Sequence, residues 1–464
     1  MCALESSFFE SLISQFGFEP THGQLEMFRM LSDFMSSEDG DIMIVKGYAG
    51  TGKTTAVASL VKTLSRMHIK CFLMAPTGRS AKILSAYAGY PAKTIHKQIY
   101  RQKSMKGAFG VFTLDFNKNH DSVYIVDESS MISISGESAF GSGNLLSDLM
   151  DYVRSNSGNR IIFIGDDAQL PPVSYDRSPA LDEEYMSGFG PVRSVRLTDV
   201  VRQQMESGIL YNATKLRISI AGNQTGIFPE FETDGYADIE KIKGGELIET
   251  LDEAISRYGL EETVVLCRSN KRANRYNAGI RGTVLNREAQ LSRGDRLMIV
   301  KNCYQFLDEI PELDFIANGD IAKLVRISHF EERYGLHFAK ATLSFPDYSD
   351  VEIDARIILD TLTSETASLG ADMQKSLYEG VYEDYSEITS KKKRNDAVRE
   401  DPYYNALQIK YSSAITCHKS QGGQWKCVFI DNPFWNGECT LDDLKWLYTA
   451  MTRAVEKLYL VNFR

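Results

Sequence analysis

The chain has 464 residues, enough at about 100–200 per domain for two to four domains. Hydrophobic residues make up 43% and charged residues 25%, which argues against a mainly disordered chain. The net charge of −10 disfavours a protein that coats nucleic acid with its whole surface, yet leaves room for a basic groove on an acidic body. No apolar run approaches the ~20 residues of a membrane span. The opening MCALESSFFE has an acid and no base, unlike a secretory leader. Seven scattered cysteines (2, 71, 267, 303, 417, 427, 439) form no CxxC pair. A disulfide framework or zinc site is therefore not expected, and a reduced intracellular compartment is.

Residues 7–36 carry apolar side chains at helical spacing. The apolar runs 41–47, 70–76, 122–128 and 159–166 predict strands, with helices over 54–67 and 78–89. Strands alternating with amphipathic helices predict a parallel sheet covered on both faces. A second strand-helix unit starts at 262–270. Strand patterns then crowd 288–359, predicting a small barrel or meander. Residues 347–389 hold eleven acids against two bases, with KKKR at 391–394; both read as a poorly packed, solvated excursion. Strand patterns return in LQIKYSSAIT, KCVFIDN and KLYLVNF, around a helix in LDDLKWLYTAMTRA. The expected fold is α/β with two parallel-sheet domains. The first spans 1–200. The second joins 201–286 to 406–464, and a β-rich insertion of 287–405 interrupts it.

The strand at 41–46 enters Gly47-Tyr48-Ala49-Gly50-Thr51-Gly52-Lys53-Thr54-Thr55, a G-x-x-x-x-G-K-T phosphate loop followed by a helix. Backbone amides at such a helix start wrap phosphate oxygens. Gly50, Thr51, Gly52, Lys53, Thr54 and Thr55 are the candidate nucleotide-binding residues. Lys53 reaches the β- and γ-phosphates, and Thr54 offers a hydroxyl to Mg²⁺. The apolar strand VYIV ends in Asp127, a candidate Mg²⁺ residue, and Glu128, a candidate polariser of the attacking water. In IGDDAQLPPV, Gln169 stands at the carboxyl end of the next strand, where an amide can donate to a γ-phosphate and accept from water.

The ordered set GYAGTGKT, APTGRSAK, TIHK, DESSM, GDDAQLPPV, VVRQ, HKSQGGQW and YTAMTRA resembles superfamily 1 helicases. In detail it is similar to the 5′-to-3′ branch of RecD-like and Dda-like DNA helicases, from Gln24 to the C-terminus. The resemblance implies RecA-like motor domains with ATP, Mg²⁺ and DNA as ligands. It implies that Gln24 reads the adenine edge, and that Arg202 and Arg453 reach the γ-phosphate from the second domain. It assigns DNA contacts to Pro76, Thr77, Thr94 and His96 on the first domain and to His418, Lys419 and Ser420 on the second. The stretch 420–422 is also open to a nucleotide-facing role.

Residues 97–118 hold five bases and one acid, interleaved with Tyr100, Phe109, Phe112 and Phe116. The family carries a β-hairpin pin here, about 90–120, which gives Phe109 or Phe112 the role of a strand-separating wedge. The β-rich insertion resembles the family's SH3-like subdomain, with Asn318-Gly319-Asp320 matching a turn. The expected activity is unwinding by a monomeric 5′-to-3′ motor, with single-stranded and forked or tailed duplex DNA as partners. A translocase without unwinding and an ATP-gated DNA clamp are the alternatives, and RNA is a further substrate to separate by assay.

Overall fold

The computed structural model describes residues 3–37, 39–102, 112–135, 141–199, 206–303, 316–433 and 438–463. Two wholly parallel sheets and a closed barrel organise it.

The first sheet has six strands in the order Ala92–Thr94, Cys71–Ala75, Val123–Val126, Arg160–Gly165, Ile42–Gly47 and Val192–Leu197. Its central strands are apolar throughout because helices cover both faces. Ile44, Tyr124 and Phe163 face one buried cluster, and Met43, Ile125 and Ile162 the other. Period-2 alternation explains the division. The carboxyl ends of these strands carry the phosphate loop, Asp127, Asp166 and Thr77.

The second sheet has five strands in the order Ala414–Thr416, Thr263–Cys267, Trp425–Asp431, Ala454–Val461 and Ile239–Ile242. LQIKYSSAIT, read above as one strand of this sheet, is split. Leu407–Tyr411 instead closes the barrel, between Arg296–Ile299 and Val351–Ile358. The chain turns at Ser412-Ser413, where the Ser412 N–H still donates to Arg296 and the Ser413 carbonyl already accepts from Val265.

The barrel runs Arg296–Ile299, Ile321–Arg333, Leu336–Phe345, Val351–Ile358 and Leu407–Tyr411. The acidic excursion is also corrected. It forms helices Ala371–Asp384 and Lys391–Glu400, which bury Leu377, Val381 and Val398 with Leu336, Phe338 and Ile358. Each such burial is worth about 2 kcal/mol. KKKR is the first turn of the second helix, and Arg394 lies 3.7 Å over the Tyr382 ring. Tyrosines 378, 382, 385, 403 and 404 supply the apolar faces that the charge count concealed. Among the described residues, no helix is long and apolar enough to cross a membrane.

Candidate nucleotide cleft and nucleic-acid groove

The phosphate loop leaves its strand through Gly50 and Gly52, at φ of 75° and 78°, and enters the helix Lys53–Arg66. Only glycine takes these left-handed angles without strain. Thr51 is buried, and its hydroxyl donates to the Tyr48 carbonyl at 2.8 Å. Lys53 Nζ donates to the carbonyls of Gly47 (2.5 Å) and Tyr48 (2.8 Å), so the loop holds its own cation until phosphate competes for it.

Gln24 sits differently from the expectation of an adenine reader. It is 2% exposed; its Oε1 accepts from the Thr21 N–H at 2.9 Å, and its Nε2 donates to the Thr51 carbonyl at 3.0 Å. Thr21-x-x-Gln24 is the capping box of helix His22–Ser36, and one N–H and one lone pair of the amide are engaged there and at Thr51.

Asp127 ends the strand beside Cys71–Ala75, its N–H donating to the Met74 carbonyl. Burial first, and the neighbouring Glu128 second, push its carboxyl up to about 7. Glu128 has φ 52°, a left-handed backbone that costs a non-glycine residue about 1 kcal/mol and that recurs at functional sites. Asp166 is buried, which also raises its carboxyl; Lys53 pulls in the opposite direction on both Asp127 and Asp166. Asp166 Oδ1 accepts from the Ala168 N–H at 3.0 Å and its Oδ2 from the Tyr448 hydroxyl at 2.6 Å. Gln169 is 5% exposed, and its buried Oε1 has no partner among the described residues. That orphan acceptor is what a water-orienting amide needs. One hydroxyl on Thr54 and one carboxyl on Asp127 form a sparse donor set. It fits Mg²⁺, which keeps several waters and takes its remaining ligands from phosphate.

Arg453 does not aim at the loop. Its guanidinium is buried on its own side of the cleft, donating to the carbonyls of Thr449 (3.0 Å) and Gly423 (3.3 Å) and to the Thr452 hydroxyl (3.2 Å). Arg202 lies outside the described residues. Other groups reach the loop instead. The Ala49 N–H donates to the Tyr448 hydroxyl at 2.9 Å, and the Arg217 guanidinium lies 4.7 Å over the Tyr48 ring. The sequence reading passed over both residues. The aromatic inside YTAMTRA was the available signal for Tyr448; Arg217 had none.

Thr77 and Thr94 are N-caps, accepting from the N–H groups of Ser80 and Lys97, which leaves their loops at the first sheet's carboxyl edge beside Pro76. A cavity of about 150 Å³ is lined by Thr77, Arg79, Asn318, His418, Lys419 and Trp425. A second, of about 540 Å³, is lined by Lys82, Lys93, Thr94, Lys97 and Tyr348. They adjoin at Gly78, where a Cβ would stand 2.4 Å from the Tyr348 hydroxyl; only glycine lets the barrel sit this close. Lys419 reaches Asn318 on the barrel turn, and burial lowers its ammonium to about 8. Partial burial of the His418 ring, with Arg268 nearby, lowers its pKa. His96 is lowered to about 4 by burial, so it is neutral at pH 7. Arg79 lies 4.0 Å over the Trp425 ring and donates to the Gln424 carbonyl at 2.7 Å, tying the two sheets together beside the groove.

Two of the expected DNA contacts are placed elsewhere. Ser420 is wholly buried, its hydroxyl donating to the Cys417 carbonyl at 2.7 Å, which closes a short 3₁₀ turn. Phe112 is 6% exposed in a core cluster with Ile99, Tyr100 and Tyr124. It opens the second strand of the hairpin stem Tyr100–Gln102/Phe112–Leu114, so it anchors the hairpin rather than tipping it. Phe109 lies outside the described residues, while Phe116 is 64% exposed.

Family comparisons agree with these two halves. Residues 21–224 match the model of an AAA domain, and residues 411–461 match that of a UvrD-like helicase C-terminal domain. The ATP-dependent RecD2 DNA helicase of Deinococcus radiodurans is 28% identical over 204 residues, covering 42% of this chain and 25% of that protein. The uncharacterised protein MJ1519 of Methanocaldococcus jannaschii is 23% identical over 461 residues, covering 90% of this chain and 36% of that one. The chain thus spans about a third or less of the length of these relatives. The Pif1 helicase from Bacteroides, solved in complex with ADP-AlF3 and ssDNA, is 16% identical with a TM-score of 0.47, covering 96% of this chain and 93% of that chain. The AAA-domain match thus covers the first parallel-sheet unit and the start of the second, and the UvrD-like C-terminal match covers the end of the second, so both halves of the chain are similar to parts of known helicases.

Proposed function

We propose that the protein is an ATP-dependent DNA helicase that translocates 5′-to-3′ on single-stranded DNA as a monomeric motor and unwinds duplex. In this reading 1–200 and 201–286 with 412–464 are the motor domains, and 287–405, with the barrel strand Leu407–Tyr411, holds DNA over the second. The observation that carries it is a single interface with two faces. On one, Ala49 of the phosphate loop and the Asp166–Leu170 turn that carries Gln169 meet Tyr448 and Thr449 of the second unit, on the same sheet edge as Asp127 and Glu128. On the other, a lysine-rich groove is lined by the first unit, the second unit and the barrel. Opening and closing of the interface would act on both faces at once.

Incoming phosphate draws Lys53 Nζ off the Gly47 and Tyr48 carbonyls. Glu128 polarises the attacking water and takes its proton, and Gln169 accepts from the same water while its amide N–H group donates to the γ-phosphate. Thr54 and Asp127 would hold Mg²⁺, which when bound would supply neutralisation of phosphate charge. For Arg453 to serve as an arginine finger, it must exchange its bonds to Thr449, Gly423 and Thr452 for phosphate, so its contribution waits on closure.

The deciding assay offers two partial duplexes, one with a 5′ and one with a 3′ single-stranded tail, with ATP and Mg²⁺. Unwinding from the 5′ tail alone is the expected result. Unwinding from the 3′ tail alone reverses the polarity. No unwinding, with DNA-stimulated hydrolysis intact, makes the protein a translocase or clamp.

A further inference from the structure

Resting on that reading, we propose that Tyr448 is a positioning residue that couples occupancy of the phosphate loop to closure of the second unit. It stands on helix Leu441–Met451, which packs in the second unit's core, yet its hydroxyl sits inside the first unit's site. A phenol has one proton and two lone pairs. Here the proton goes to Asp166 Oδ2 at 2.6 Å, and a lone pair takes the Ala49 N–H at 2.9 Å. Ala49 is a member of the phosphate loop. Asp166 begins the turn whose fourth residue is Gln169.

The side chain is 1% exposed, so both bonds of the hydroxyl lie out of bulk water. The neighbouring residue repeats the connection: Thr449 Oγ1 accepts from the Leu170 N–H at 2.8 Å. The Thr449 carbonyl in turn holds Arg453 Nε. Any shift of the loop or of the Asp166–Leu170 turn on phosphate entry is therefore passed to one helix, and that helix holds Arg453 by its last turn. Arg217, over the Tyr48 ring, adds a second contact on the loop without a hydrogen bond to the turn.

Tyr448→Phe keeps the ring and removes only the hydroxyl. Its test combines a melting curve, nucleotide affinity with a fluorescent ATP analogue, and steady-state hydrolysis with and without saturating oligo-dT. The expected result is a KM for ATP within about threefold of the parent. The ratio of DNA-stimulated to basal kcat falls by about tenfold, the scale of one buried hydrogen bond left unmade. A ratio unchanged within twofold overturns the proposal. So does an equal loss of basal and stimulated rates, which marks a structural role, or a loss confined to KM, which marks a binding role. Should Tyr448→Phe show no folding transition, Thr449→Val cuts the adjacent bond to Leu170 and is judged by the same ratio. Parent protein with no ATP hydrolysis overturns the helicase reading itself and is recognised before any variant is made.

Discussion

The nucleotide cleft and the nucleic-acid groove each contain a carboxyl pushed up to about 7 mainly by burial: Asp127 in the first, Asp320 in the second. Their partners differ. Asp127 has one backbone donor, the Glu128 N–H, and another carboxylate at its side. Asp320 accepts from the Ala317 N–H at 2.7 Å and from the Tyr348 hydroxyl at 3.1 Å. The first has a single N–H donor among the described residues, with Lys53 as the charge that opposes its rise. The second has its donors and holds the barrel turn in place. A raised carboxyl therefore marks a ligand site only when its donors are missing.

The sharpest break between the two regions is Lys53→Ala. It removes the only side-chain cation of the phosphate loop and leaves the groove untouched. Hydrolysis should fall by about a thousandfold, while affinity for a fluorescent single-stranded oligonucleotide changes little. Parallel loss of both would mean that the cleft and groove are not separable. Retained turnover would remove Lys53 from the chemistry.

Next in size is the pH dependence of the cleft. In the proposed reading Asp127 holds a divalent cation as a carboxylate, and burial with Glu128 beside it raises its carboxyl toward 7. Mg²⁺ affinity should therefore rise with pH through 7 and weaken by up to about tenfold per unit below it, with proton release on binding. Isothermal titration in buffers of different ionisation enthalpy measures that release. In Asp127→Asn both the affinity and its pH dependence should be lost. A parent protein whose Mg²⁺ affinity is flat from pH 6 to 8 would place the cation elsewhere.

The groove is read by salt. Lys419→Ala should weaken binding to single-stranded DNA severalfold and reduce the slope of log affinity against log salt by about 0.7, one phosphate contact. The lowered pKa of Lys419, about 8, adds a sign. Between pH 7 and 9 the parent loses that contact progressively, and the alanine variant has none to lose. An unchanged slope would reduce Lys419 to a strut for Asn318.

The contrast also explains what could be read from the sequence. The cleft is built from short contiguous segments on strand ends, so the placement of Gly47–Thr55, Asp127-Glu128 and Gln169 at one sheet edge was legible from local pattern alone. The parallel sheets and the barrel were legible for the same reason, because strand periodicity is local. Gln24 also has a local role that its motif position does not state, because T-x-x-Q serves as a helix cap. Ser420 and Phe112 misled because burial depends on what folds over a segment. Tyr448 was hidden differently: its partners Ala49 and Asp166 lie hundreds of residues away in sequence. Leu407–Tyr411 was misassigned because an apolar strand does not state which sheet it joins.

The smallest expected effect tests the structural half of the comparison. A carboxyl with a folded pKa near 7 and an unfolded value near 3.8 binds its proton more tightly in the native state. Its contribution to stability is complete below 3.8 and is lost as pH rises through 7, at up to about 1.4 kcal/mol per unit within that window. Asn at position 320 keeps an acceptor for the Ala317 N–H and offers an amide N–H to the Tyr348 oxygen, but has nothing to ionise. Asp320→Asn should therefore gain on the parent as pH rises from 5 to 8, by a few degrees in melting temperature or less. The same pH scan on Asp127→Asn, made with saturating Mg²⁺ and ATP, should move the other way, because there the parent's ionised carboxylate holds a ligand and the variant's amide does not. If the two scans run in parallel, the cleft carboxyl is as structural as the groove carboxyl. The distinction between a site awaiting charge and a clasp already satisfied then fails.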